Sequence, residues 1–368
     1  MSSKLQIVLT TTLTLINQFQ STLSSAQTNP QPLTTGDDNG LDPLQLLSAS
    51  ATALKSHVTK LSLLTITSPF TPSAVATTLS ALNESVLPSL VTAALLVTPE
   101  SHTKAFQSEV RLLAGTALKE LLFLVKEVQV VAKAKTDDKK SLGQSEKDTV
   151  TVATGRVWDA CDVLIDNATK GVVGFVIRRA EEYRDLVRDA VEEIEGWDPD
   201  EEGDDFFDDL LGDDEAGGES DDEDDEEGHN AALHARKRDA LRVLKPIAQI
   251  YPAIITNRLK KAPSPPTPSN IKSLELLMKN LQQIPDHVDE VAGALYEADL
   301  EKCTAHLGKT KGCASKAIDS VVLPWVVKQT SGNEEGAGDK FTDWSKTWTK
   351  VIEEVSKSIN DPPTSTSG

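Results

Sequence analysis

Between Val110 and Val131 apolar side chains return every third or fourth residue: Val110, Leu113, Ala114, Ala117, Leu118, Leu121, Leu124, Val125, Val128 and Val131. A helix turns once per 3.6 residues, so this spacing lays all of them along one face, which then needs a partner surface to cover it. The same period recurs in Leu5, Val8, Leu9, Leu13, Ile16, Phe19 and Leu23. No stretch shows the apolar–polar alternation of a strand. A chain patterned in this way solves its burial problem by packing helix on helix. Aromatic residues are only 4% of the chain and the stripes are built from Ala, Leu and Val, side chains small enough for close approach. The reading is therefore an all-α protein made of two antiparallel helical bundles.

Proline and small polar residues punctuate the pattern. Asp42-Pro43 is an N-cap followed by a proline whose fixed φ suits the first helical turn, and Thr71-Pro72 and Thr98-Pro99 mark further helix starts. These predict helices from Asp42 to about Ile66, from Thr71 to about Val97 with a kink at Pro88, and a long one from Thr98. Lys133 to Gly143 reads as a polar loop, and helices follow over Val150–Ala168 and Val172–Glu195, separated by Gly171 and Gly174. Helical signals resume near Ala231, are interrupted by Pro246 and Pro252, and give way to the extended linker APSPPTPS over 262–269. Two or three helices run from Asn270 to Val327 and a last one from Phe341 to about Ile359.

One segment breaks every pattern. DPDEEGDDFFDDLLGDDEAGGESDDEDDEEG, residues 198–228, holds 19 acidic residues and no basic one. The whole chain has 57 acidic and 37 basic residues, so outside this insert 38 acids face 37 bases. The low pI belongs to the insert, and the helical parts are close to neutral. Like charges repel and so few apolar groups cannot join a core, so a long disordered acidic insert is expected. The expected organisation is an N-terminal bundle over 1–197, the insert over 198–230, a C-terminal bundle over 231–360 and a disordered tail over 361–368.

Within the insert Phe206, Phe207, Leu210 and Leu211 are embedded between acid pairs, a texture that a plain solvated connector does not need. Apolar pairs among acids can dock as a short amphipathic helix in a partner's groove, so these four are candidate partner-binding residues. Ser220, followed by DDEDDEE, is a candidate phosphorylation site for an acid-directed kinase. Just past the insert, Arg236, Lys237, Arg238, Arg242 and Lys245 form a short basic cluster, either an import patch or an intramolecular partner for the acids. So short a cluster beside a polyanion does not suggest direct nucleic-acid binding.

Catalytic and metal signatures are weak. There is no Gly-rich phosphate loop, no nucleophile elbow and no pair of histidines at metal spacing. Cys303, His306 and Cys313 make three of the four ligands a structural zinc site takes, and ordinary helix positions explain them better. No cofactor and no enzyme activity are expected. Leu274, Leu281, Val288 and Leu295 stand seven apart as in a leucine zipper, but Pro285 interrupts the helix, which favours an internal bundle seam. The three cysteines, Cys161, Cys303 and Cys313, lack paired spacing, which points to a reducing compartment. No window approaches 18 consecutive apolar residues, so no membrane contact is expected, and the expected location is cytoplasm and nucleus.

Three stretches taken in order, EVRLLAGTALKELLFLVKEV from Glu109, VWDAC from Val157 and YRDLVRDAVEEIEGWDP from Tyr183, resemble the cyclin-D-interacting (GCIP-like) family. The resemblance covers about Leu61 to Pro199 and, more loosely, the helices after Ala231. It implies an all-helical, two-bundle fold akin to vinculin and α-catenin modules, and a regulator that binds D-type cyclins and damps transcription behind them. Pro285 in the zipper-like run and the length of the acidic insert depart from the family pattern. The expected function is a non-enzymatic protein-binding adaptor in cell-cycle or transcriptional control. Two alternatives remain open on the sequence: an acidic chaperone of basic nuclear proteins such as histones, and a vinculin-like cytoskeletal linker. Trp158, in VWDAC, is expected to lie buried between helices.

Overall fold

The computed structural model describes residues 3–28, 42–137, 143–200, 223–325 and 339–357. Among them every regular element is helical, as the periodicity requires. The candidate residues Phe206, Phe207, Leu210, Leu211 and Ser220 lie outside the described residues, as do the 361–368 tail and most of the acidic run. Contacts divide the chain into two compact units, residues 1–175 and 176–368.

The first unit contains α1 (Ser3–Thr28), α2 (Pro43–Ile66), α3 (Pro72–Ala81), a π-helical turn over Leu82–Val86, α4 (Leu87–Leu96), the single turn α5 (Pro99–His102), α6 (Lys104–Asp137) and the first part of α7 (Gln144–Gly196). α1 packs on α3, α4 and α6, and α2 packs on α3, α4 and α6. The α1 stripe buries Leu5, Leu9, Ile16 and Leu23 completely and Val8, Leu13 and Phe19 in part. The expected start of α2 is realised: the Asp42 carboxylate accepts from the Leu44 amide at 2.9 Å, with Pro43 at the first helical position.

Pro88 produces a subtler change than a kink. Proline has no N–H and collides with the carbonyl four residues back. The helix widens to a π turn just before it, and the Leu87 amide reaches the Leu82 carbonyl five residues earlier. The joined stretch Pro72–Leu96 is long and apolar enough to cross a membrane by length and composition, which the count of uninterrupted apolar residues misses. Its Val75, Leu79, Leu82, Leu87, Leu90 and Val91 are buried, the pattern of a core helix.

The helix expected from Thr98 is also divided. Thr103 adopts φ 69°, in the left-handed region, ending α5. Its hydroxyl then accepts from the Phe106 amide at 3.3 Å, and the Gln107 amide group donates to the Val97 carbonyl at 2.9 Å, fixing the entry to α6. α7 joins what sequence reads as two helices. Gly171 sits inside it at φ 61°, ψ −167°, a backbone region essentially closed to residues with a Cβ, so glycine permits the bend.

The second unit contains the end of α7, then α8 (Glu223–Ala248), α9 (Ile250–Asn257), a 3-10 turn over Leu259–Lys261, α10 (Pro268–Leu281), α11 (Gln283–Tyr296), α12 (Leu300–Asp319) and α13 (Lys340–Val355). α12 packs on α8, α10 and α11, and α13 packs on α8 and α12. Thr267 and Asn270 cap α10 reciprocally, a capping box at the end of the proline-rich linker. α8 starts at Glu223, eight residues before the position the apolar period marks, and Pro246 lies within it without ending it. Leu274, Leu281, Val288 and Leu295 are all fully buried, and the helix breaks at Gln282 before Pro285. The seven-residue spacing is a bundle seam.

Arg258 ties this unit together. Its side chain is only 2% exposed and meets Asp339 through two hydrogen bonds of 2.7 and 2.8 Å. It also donates to the carbonyls of Val321 at 2.6 Å, Val322 at 2.7 Å and Asn257 at 3.1 Å, and stacks 4.3 Å over the Phe341 ring. Asp339 in turn caps α13 by accepting from the Thr342 amide at 3.1 Å. One guanidinium thus joins the end of α9, the segment after α12 and the start of α13.

Candidate interaction site

α6 and the first part of α7 lie side by side, and the start of α7 is held by the Gly143 amide donating to the Glu146 carboxylate at 2.8 Å. The buried face of α6 is the stripe read from sequence, and only Leu113 remains half exposed. Along the seam between the two helices runs a shallow open groove of about 530 Å³ lined by Phe123, Glu127, Asp148, Val152 and Arg156 among others. Phe123 and Val152 are exposed there, an arrangement suited to a side-chain anchor from another protein rather than to enclosing a small molecule.

Trp158 corrects the sequence expectation. It is exposed at the edge of the bundle, while Val157, Cys161 and Leu164 point inward. Each helical residue turns about 100° from the last, so the neighbour of a buried position lands at the rim. There its indole N–H donates to the Thr59 hydroxyl at 3.2 Å, and Lys55 pairs with Asp162 at 2.6 Å, joining α2 to α7. Burial, with help from the Asp162 charge, pushes the Cys161 thiol up to about 12.

In the second unit the basic cluster separates into parts. Lys237 donates to the carbonyls of Glu195, at 3.1 Å, and Trp197, and Lys245 pairs with Glu195 at 2.6 Å. Lys237 thus caps the carbonyl end of α7, where cations are favoured, and Lys245 meets the Glu195 side chain beside it. The Tyr296 hydroxyl donates to Glu193 at 2.9 Å beside Trp197, and burial together with that carboxylate raises the phenol to about 12. Arg238 and Arg242 remain exposed around Leu241.

Cys303 is buried and its thiol is pushed up to about 11, mainly by desolvation, while the Cys313 thiol faces the Gln283 amide oxygen at 3.7 Å. His306 meets the His287 ring edge-on with centroids 5.5 Å apart. Among the described residues these groups do not bring three ligand atoms together. Asp198, Asp200 and His234 do, within 4.8 Å, all exposed and joined by a 2.9 Å hydrogen bond from His234 to Asp200. Solvated acids near a histidine commonly sit this way without an ion, and the spacing that gathers them is not one the sequence displays.

Residues 46–200 match the family model described as Grap2 and cyclin-D-interacting, N-terminal. The match spans α2 through α7 and so contains the α6–α7 groove. It bears out the resemblance carried by EVRLLAGTALKELLFLVKEV, VWDAC and YRDLVRDAVEEIEGWDP. No curated protein matches the chain.

Proposed function

We propose that this chain, which carries the N-terminal domain of the Grap2 and cyclin-D-interacting family over residues 46–200, is a non-enzymatic adaptor that binds a cell-cycle regulator, a D-type cyclin first among them. The observation that carries the reading is the family match itself, because it spans the helices that build the exposed α6–α7 groove. The chain works in cytoplasm and nucleus, where its three unpaired cysteines suit a reducing medium. The acidic insert contributes a second contact through Phe206, Phe207, Leu210 and Leu211, with the flanking carboxylates steering approach. Phosphorylation of Ser220 adds negative charge to that segment.

The test uses immobilised full-length protein and a purified D-type cyclin, at two salt concentrations. The expected result is specific retention by wild type and weaker retention by a variant with the four apolar insert residues changed to Ser. Absence of retention by protein that still melts cooperatively overturns the cyclin assignment.

A further inference from the structure

Over residues 230–245 α8 carries five basic residues, Arg236, Lys237, Arg238, Arg242 and Lys245, against one acid, Asp239. The Asp239 side chain is only 16% exposed. His234, Arg238, Arg242 and Lys245 are exposed and recur every three or four residues, so they share one side of the helix. With Lys237 and Leu241 they line a shallow open pocket, and among the described residues no carboxylate belongs to that lining. Glu195 and Asp200 border it and are already engaged, by Lys245 at 2.6 Å and by His234 at 2.9 Å. Arg242 lies 3.8 Å from Asp239, and among the described residues Arg238 meets no carboxylate.

Connectivity supplies the occupant. Residues 201–222 join Asp200 to Glu223, and both ends belong to this helix: Asp200 is bonded to His234, and Glu223 is the first residue of α8, about 17 Å along the axis from His234. Those 22 residues hold 12 acids and no base. A path from Asp200 out to Arg242 and back to Glu223 covers about 40 Å along the axis, and 22 residues reach at most about 70 Å. We propose that the acidic segment 201–222 docks on the exposed basic face of its own α8, its carboxylates against Arg238 and Arg242, so that a partner drawn to those carboxylates must displace it. The contact is made by the free chain and goes beyond the adaptor reading.

Exposed ion pairs are individually weak and salt weakens them further. The tether compensates by holding the segment at about millimolar effective concentration beside the face. A contact with a Kd of about 0.1 mM is then occupied about ten to one.

The probe is a fluorescein-labelled peptide of residues 201–222, followed by anisotropy. It is titrated with full-length wild type, and with a full-length variant in which residues 201–222 are replaced by a Gly/Ser linker of equal length, at two salt concentrations. The linker variant should bind the peptide saturably and more weakly at high salt. Wild type should bind it about tenfold more weakly, because its own segment holds the face. In the linker background R238E/R242E should lose about tenfold or more in affinity. K119E/K126E, an equal change of net charge on α6, should bind as the linker variant does. All four positions are exposed, so the melting temperatures should agree.

Equal peptide affinity of wild type and linker variant, absence of binding by the linker variant, or equal loss in the two charge-reversal variants overturns the proposal. So does a wild type that sediments as a dimer while the linker variant is a monomer, because a second copy then supplies the segment.

Discussion

Removing the Asp339 carboxylate strands a charge. Arg258 is 2% exposed in its side chain, and among the described residues Asp339 supplies the opposite charge it meets, through bonds of 2.7 and 2.8 Å. Breaking a pair around a buried cation leaves the cation uncompensated and costs about 3–5 kcal/mol. Asp339 is itself 39% exposed, so solvent screens its own share, and the larger part of the cost lies with Arg258. Loss of the α13 cap at Thr342 belongs to the same event. For Asp339→Ala the expectation is a loss of about 3–5 kcal/mol and a drop of about 10 °C or more in the melting temperature of the second unit. Asp339→Asn keeps an oxygen for Thr342 and for one guanidinium N–H, and should cost less. Trp197, Trp325, Trp344 and Trp348 all belong to the second unit and Trp158 to the first, so a Trp158→Phe background makes tryptophan emission report the second unit alone.

The pH dependence follows from the same contact. The Arg258 guanidinium holds the Asp339 carboxyl well below the usual carboxylate range. A lowered folded-state pKa stabilises fully above the unfolded value near about 3.9 and fades as pH falls through the folded value. The stability gap between wild type and Asp339→Asn should therefore be constant from neutral pH to about pH 4 and narrow below it. A loss under about 1 kcal/mol for Asp339→Ala, the range of an exposed ion pair, would refute the reasoning.

Three further outcomes follow from positions already described. Trp158→Ala should cost about 1–2 kcal/mol, below the 3–5 of a fully buried aromatic, and a variant retaining only Trp158 should emit at a solvent-exposed wavelength; emission of a fully buried indole would contradict the rim position. Gly171→Ala should cost about 1–3 kcal/mol in chemical denaturation. Space is not the reason, since a Cβ there would meet Leu44 at an ordinary 3.6 Å, and an unchanged midpoint would show that α7 does not bend at that residue. With its thiol pushed up to about 12, Cys161 should resist thiol reagents at about pH 8 in the native protein and react on unfolding, and immediate stoichiometric labelling would show the site to be open.

What the sequence discloses is local. Aspartate before proline at 42–43 marks a helix start, and Val110 to Val131 marks a buried stripe, because both signals lie within a few residues of one another. Pro285 beside a seven-residue repeat likewise separates seam from zipper. Arg258 discloses nothing in NRLKK, since its charge partner stands 81 residues away and the carbonyls of Val321 and Val322 more than 60. Trp158 misleads for the opposite reason: a large aromatic in an apolar segment suggests burial, and one step around the helix decides otherwise. Of the interaction site, the buried face of α6 is legible and the groove beside it is not. Phe123 and Val152 read as scatter until the two helices that flank the groove are known.

The division at Phe175 governs how this protein can be cut. A fragment drawn to the homologous segment, residues 46–200, would discard α1 and lay bare the side chains of α3, α4 and α6 that α1 covers. At its other end it would carry Val176, Ala180, Val187 and Ile194, buried residues of the second unit, as an uncovered greasy handle. Such a fragment should precipitate or be proteolysed, and a bait library built on it would report stickiness as partnership. Fragments ending at Phe175 or beginning at Val176 follow the division by contacts, and they are the pieces to express.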